Sequence, residues 1–339
     1  MQEKSDAGNG VTALAVCAAL IGMHPGGASA RAASYITFDL PDCPYTNVSG
    51  INIKGDVAGE CEGDFGSYGF VRTADGTIET FDIGANETTA ANGINRKGEA
   101  VGSYYSDEHG YAYGYMRKLG GHVQHFKIRK AADLFAFGIN DSGEMVGRYT
   151  DASSNSHGFV RSSSGDITSF DVPGANGTSA AEINNSGVIT GGYADAIRVG
   201  HGYIRYPDGS ITAFDPPGSI NTFVQGLNND GAVTGYFNGN GGYQGFIRNP
   251  DGTFTTFFAP EAGFQVGKTA INDKGSVAGQ YDHNGFPYHA FLRKPNGSIA
   301  NIDVPGAVST YAQSINRSDV VAGAFEDEEG VGHGFIRIP

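Results

Sequence analysis

Seven times the chain repeats an aliphatic residue, an asparagine, two further residues and then a glycine or its substitute, with the asparagines at 52, 95, 140, 184, 228, 272 and 316. The intervals are 43, 45, 44, 44, 44 and 44 residues. A period of ~44 that holds four strand-like runs is the signature of a β-propeller, in which no blade buries its faces alone and each must stack on its neighbours.

One unit shows the pattern. Thr178-Ser-Ala-Ala-Glu-Ile-Asn184 alternates small or apolar with polar residues and runs into the tight turn Asn184–Gly187. Val188–Tyr193, Gly202–Arg205 and Ile211–Asp215 follow as three more strands, separated by a looser loop and by the turn Tyr206-Pro-Asp-Gly209. Period-two alternation, β-branched and aromatic residues and Asn/Asp-Gly punctuation predict antiparallel hairpins throughout, with no amphipathic helix after residue 35. Residues 35–40 read as a fourth strand without its first three, and 334–339 as a third strand without its fourth. The expected architecture is therefore all-β: a seven-bladed β-propeller with four antiparallel strands per blade, closed by strand 35–40 joining the last blade. Closure of this kind leaves no exposed sheet edge. Residues 35–339 make one domain.

Residues 11–23 are uncharged and largely apolar, and Ala28-Ser-Ala30 and Ala33-Ser34 follow. This predicts a secretory signal peptide over 1–34, hence export to the periplasm or outside the cell, with no membrane span. After its removal Cys43 and Cys61 remain. Cys61 takes a position that holds Tyr or Phe in the other units, and Cys43 lies in the connection into the first strand. Those places share a face of a propeller, so a disulfide is expected, two buried free thiols being the alternative.

The net charge is −14. Such a field repels phosphates, which excludes a nucleic-acid partner. No phosphate-binding glycine loop, zinc pattern or nucleophile elbow is present, so no dedicated cofactor site is expected.

Ile271-Asn-Asp-Lys-Gly275, Val277-Ala-Gly279 and His289-Ala-Phe291 resemble the Gly-Ile-Asn-x-x-Gly, Val-Val-Gly and His-Ala-Phe pattern of the HAF-type bacterial extracellular repeats. The likeness recurs at His157, His201 and His333 and weakens at Tyr68, Tyr113 and Gln244. It implies a propeller and an extracellular setting, and it carries over no catalytic residue.

A residue present in every unit serves every unit, that is, folding. The seven asparagines and the third-strand arginines 72, 117, 161, 205, 248, 293 and 337 are read in that way, and the recurring histidines as blade-to-blade hydrogen-bonding groups. The first-to-second and third-to-fourth turns are short and stereotyped, whereas the other connections vary and gather on the opposite face, where function concentrates. Of the 22 lysines and arginines, six fall to that face: Lys127, Arg129, Lys130, Arg148, Arg198 and Lys268. Lys127-Ile-Arg-Lys130 replaces the usual Asp-Val-Pro-Gly, giving a positive arc over blades two to four. Acids gather elsewhere, at Glu62, Asp64, Asp107, Glu108 and Glu326–Glu329, where a Ca²⁺ ion is conceivable although no spacing matches a calcium loop.

Two functions remain open. One is a secreted, monomeric binding or scaffold propeller that recognises an anionic glycan or a cell-surface partner, with Tyr104, Tyr105, Tyr111 and Tyr113 as stacking platforms. The other is a polysaccharide-active enzyme, a uronate lyase in which Arg129, Arg148 or Arg198 neutralises the carboxylate and His109, His125, His283 or Tyr104 takes the α-proton.

Overall fold

The computed structural model describes residues 33–339 apart from 64–65, 84–87, 107–109, 262 and 284. The expected leader therefore falls almost wholly outside the described residues, and Ser34, its last residue, opens a strand. Ala33–Pro339 forms one compact unit.

The described residues contain 28 strands. Unit four is representative, with strands Gly177–Ile183, Ile189–Ala194, Gly200–Arg205 and Ile211–Phe214 in antiparallel order. Five units form four-stranded sheets of this kind, but units one and seven do not remain separate. The expectation of seven independent blades is corrected: the strands pair as five four-stranded sheets and one eight-stranded sheet. Strand Ser34–Phe38 pairs antiparallel with Gly332–Ile338, and that same strand makes a parallel bridge to strand Tyr45–Ile51 through Tyr45 and Gly332. Gly332 N donates to Pro44 O at 3.1 Å. The junction is close because Gly332 has no side chain, and a Cβ there would overlap the Tyr45 ring.

Within each unit the second strand carries a glycine opposite the first, such as Gly59 opposite Val48 and Gly147 opposite Ala136. A Cβ at Gly59 would overlap the Asn47 carbonyl, and one at Gly147 the Phe135 carbonyl. These glycines answer to close backbone approach.

Neighbouring units are tied in two ways. The repeat asparagines form a closed circle of side-chain-to-carbonyl hydrogen bonds: Asn52 Nδ2 to Asn95 O at 3.0 Å, Asn95 to Asn140 O at 3.1 Å, and so on through 184, 228 and 272, until Asn316 returns to Asn52 O at 3.2 Å. Each Asn Oδ1 also accepts an N–H of its own turn, as from Ser186 and Val188 to Asn184. The repeat arginines supply the second tie. Six stand over a phenylalanine of the preceding unit at 4.8–5.3 Å from ring centroid to guanidinium, from Arg72 over Phe38 to Arg293 over Phe257. Apolar residues of adjacent units fill the space between sheets, as Leu292 and Ile302 of unit six do against Ala312 and Phe335 of unit seven. The structural reading of the asparagines and arginines thus rests on specific contacts.

Candidate functional site

The Cys43–Cys61 disulfide is formed. It links the entry of unit one's first strand to its second strand, and Cys61 is fully buried.

The recurring histidines bind within their own unit, which corrects the expected blade-to-blade role. His157 Nδ1 lies 2.9 Å from Asp171 and its Nε2 3.5 Å from Asp151. His201 meets Asp215 at 2.7 Å, His289 meets Asp303 at 2.7 Å, and His333 meets Asp39 at 2.6 Å and Asp327 at 3.1 Å. The aromatic residue ending the second strand stacks on each ring, from Phe325 on His333 at 4.8 Å to Tyr281 on His289 at 5.2 Å. Burial pulls the His157, His201 and His333 pKa values down, but the flanking carboxylates more than offset it and hold all three above the ordinary value.

Unit two replaces this arrangement. Tyr113 stands where units three, four, six and seven have His and stacks on Tyr104 at 5.4 Å; His125 meets Tyr104 edge-on at 5.3 Å. Lys127 occupies the place of Asp171 and Asp215. It joins Arg129, Lys130, Tyr111 and Tyr113 around a cavity of about 740 Å³. Lys130 takes the place of Gly174 and Gly218 and adopts the same left-handed backbone, φ 69° against 80° for both glycines. A non-glycine residue there costs on the order of 1 kcal/mol. The turn keeps its left-handed geometry without glycine here, as it does at Asp42 (φ 52°) of the last unit, and in unit two the residue is a cation.

The rest of the expected arc is not one patch. Arg148 is exposed and rests over Phe135 at 5.2 Å. Arg198, also left-handed at φ 67°, lines a separate cavity of about 620 Å³ with His201, Phe223 and Tyr236, the last two stacked at 4.8 Å. Tyr105 is exposed on the strand Ala100–Ser106. His283 is exposed in unit six, Nδ1 3.1 Å from Gly263 O and its ring against Phe264. It is therefore not gathered with Tyr104 and the unit-two cations. His109, Asp64, Asp107 and Glu108 lie outside the described residues. Glu62 Oε1 accepts from Asn47 Nδ2 at 3.3 Å, and Asp327 accepts from Glu329 N and Val331 N. Among the described residues no three His, Cys, Asp or Glu side chains converge as a metal-donor set.

Lys268 needs the largest correction, because it lies in the central channel and not on the variable face. In six units the residue three places before the repeat asparagine is left out of the first-to-second-strand pairing, and these residues, Ser49, Asn92, Phe137, Ala181, Gln225 and Gln313, line the channel. In unit six the bulge falls earlier: Thr269 pairs with Gly279, and Gly267 and Lys268 are left out. Thr269 is thus buried in the core, and Lys268 joins the channel lining. Glu182 lines the same channel at a position where other units have Gly50, Gly93, Gly138, Gly226, Ala270 and Ser314. Burial lowers the Lys268 pKa, against the pull of Glu182 and Glu60. Burial also pushes both carboxyls up to about 7, aided at Glu60 by Glu62 and opposed at both by Lys268. The sequence reading missed Glu182 and Glu60. A charge at a position otherwise reserved for Gly, Ala or Ser was the signal that would have found Glu182.

Comparison with solved structures finds a similar fold at low identity. A streptogramin B lyase matches at 13% identity with a TM-score of 0.60, over 89% of this chain and 97% of its own. Virginiamycin B lyase from Staphylococcus aureus matches at 13% identity and TM-score 0.62, over 91% and 100%. A prolyl endopeptidase matches at 11% identity and TM-score 0.61, over 84% of this chain and 47% of its own. The scaffold is a β-propeller. At these identities the likeness concerns the fold alone, since propellers host many unrelated functions. Neither a protein-family model nor a curated protein sequence matches the chain. Among the described residues no helix is long and apolar enough to cross a membrane, and the disulfide fits an oxidising compartment.

Proposed function

We propose that this propeller is an exported binding protein that holds an anionic glycan in the unit-two cavity. The observation that carries the reading is Lys130: a left-handed turn position filled by glycine in units three and four holds a cation, beside Arg129 and Lys127. The same turn of the last unit also holds a left-handed non-glycine residue, Asp42 at φ 52°, so what sets unit two apart is three cations grouped on one cavity, which an anionic ligand accounts for. Tyr111 and Tyr113 on the same cavity supply flat apolar faces for sugar rings. The disulfide and the likeness to extracellular repeats support export.

Lys130→Gly separates binding from stability. The substitution relieves the backbone, so it raises the melting temperature while weakening binding to polygalacturonate. Adding Arg129→Ala lowers affinity roughly tenfold, which is ~1.4 kcal/mol, and wild-type binding fades as salt rises. Unchanged affinity in the double variant refutes the reading.

The stacked Tyr104–Tyr113 pair with His125 beside these cations supports a second reading, β-elimination of a uronate. New absorbance from unsaturated chain ends during the same incubation distinguishes it from binding alone.

A further inference from the structure

We propose that the central channel is a separate binding site for a small hydroxylated carboxylic acid, with the ligand carboxylate on Lys268 and its hydroxyl groups donating to Glu182 and the channel glutamines. This does not rest on the unit-two reading, which concerns a different cavity.

Two charged residues from different units line one space, and a third acts on it from the second strand of unit one. Lys268 belongs to unit six, Glu182 to unit four and Glu60 to unit one, and the field of each carboxylate reaches Lys268. Lys268 and Glu182 line a cavity of about 590 Å³, within the ~300–1,000 Å³ range of small-molecule sites. Among the described residues Lys268 closes no ion pair with either carboxylate, although salt bridges form elsewhere, such as Lys294 to Asp319 at 2.9 Å. The charges are arranged across a gap and not spent on one another.

Folding does not require them. The other units hold Gly, Ala or Ser at the Glu182 position, and Lys268 reaches the channel only because the bulge of its strand is displaced. Bulges re-aim side chains beside functional sites. Gln313 Oε1 is buried without a hydrogen-bond partner, and so is Oε1 of Gln280, whose side chain packs beside Gly267 next to Lys268. Unmade hydrogen bonds of this kind are costly.

The ligand chemistry follows. Glu182 and Gln313 on the lining offer acceptors, which want O–H donors. The lysine ammonium wants an anion and repels a free cation. A molecule with one carboxylate and several hydroxyls meets both demands; a neutral sugar leaves Lys268 unmet.

The test uses the full chain with D-galacturonate as probe and D-galactose as neutral control, read by ligand-observed NMR and calorimetry. Galacturonate is expected to bind and galactose not to bind. Lys268→Met should weaken galacturonate at least tenfold and Gln313→Leu severalfold, while Arg129→Ala/Lys130→Gly in unit two leaves it unchanged. If Lys268→Met does not fold, Lys268→Arg (binding retained) and Gln313→Leu (binding weakened) carry the comparison. No binding by wild type, equal binding of galactose, or unaltered affinity in Gln313→Leu and a folded Lys268→Met overturns the proposal. Loss of galacturonate binding only in the unit-two variant would assign the ligand to that cavity and equally overturn it.

Discussion

The asparagine circle makes a graded prediction, because its members do not carry equal numbers of bonds. Asn140 makes four through its side chain: Nδ2 donates to Asn184 O and to Glu144 Oε2, and Oδ1 accepts from Ser142 N and Glu144 N. Asn228 makes two, donating to Asn272 O and accepting from Ala232 N. Both residues are buried, at 3% and 5% exposure, so groups left behind by an alanine gain little from water. At about 1 kcal/mol net per hydrogen bond, Asn140→Ala should cost about 4 kcal/mol and Asn228→Ala about 2 kcal/mol. Urea unfolding followed by circular dichroism measures both, with the midpoint moving at a constant slope. Equal costs, or a larger cost at 228, would refute the bond-counting argument. Costs below about 1 kcal/mol at both sites would mean that the circle is ornamental and that packing alone holds the units together.

Two further outcomes are expected. The disulfide closes a loop of sequence separation 18, so replacing Cys43 and Cys61 by Ala should cost about 3 kcal/mol, and native protein unfolded without reductant should show no thiol from either residue. Burial raises the Glu182 carboxyl from 4.5 to about 7, so between those values the folded state binds more protons than the unfolded one and this group's contribution declines as pH rises. Glu182→Gln should accordingly gain melting temperature on wild type as pH climbs from 4.5 to 7. A difference that does not change with pH would sink that account.

The strands and turns were legible because their signals are local. Asn-x-x-Gly turns, period-two strands and the odd Cys61 each announce themselves within a few residues. The fused sheet was not, since the bridge from Tyr45 to Gly332 joins segments at opposite ends of the domain and depends on backbone approach at one glycine. At the candidate site, the Lys127–Lys130 loop was readable as a broken repeat, and the structure gathers it with Tyr111 and Tyr113. Arg148 and Arg198 dispersed because the distance between loops of successive units is set by the sheets and is not written in the spacing. Lys268 was misplaced for a subtler reason. Composition fixes which residue is a lysine, but the position of a bulge decides which way it points.

That displaced bulge also bears on how such a protein could be built by small changes. In the pairing used by the other six units, the Lys268 position is a buried core position filled by Val48, Ala91, Ala136, Ala180, Val224 or Ala312. A lysine arriving there first would be a buried, unpaired charge, a lesion of several kcal/mol. If the pairing shifts first, the same position already faces the lumen, Thr269 fills the core, and the lysine costs little. The order of events is therefore constrained: the backbone step must come before the side-chain step. Tandem duplication makes that backbone step survivable, because six unaltered copies continue to hold the ring while one copy is free to change.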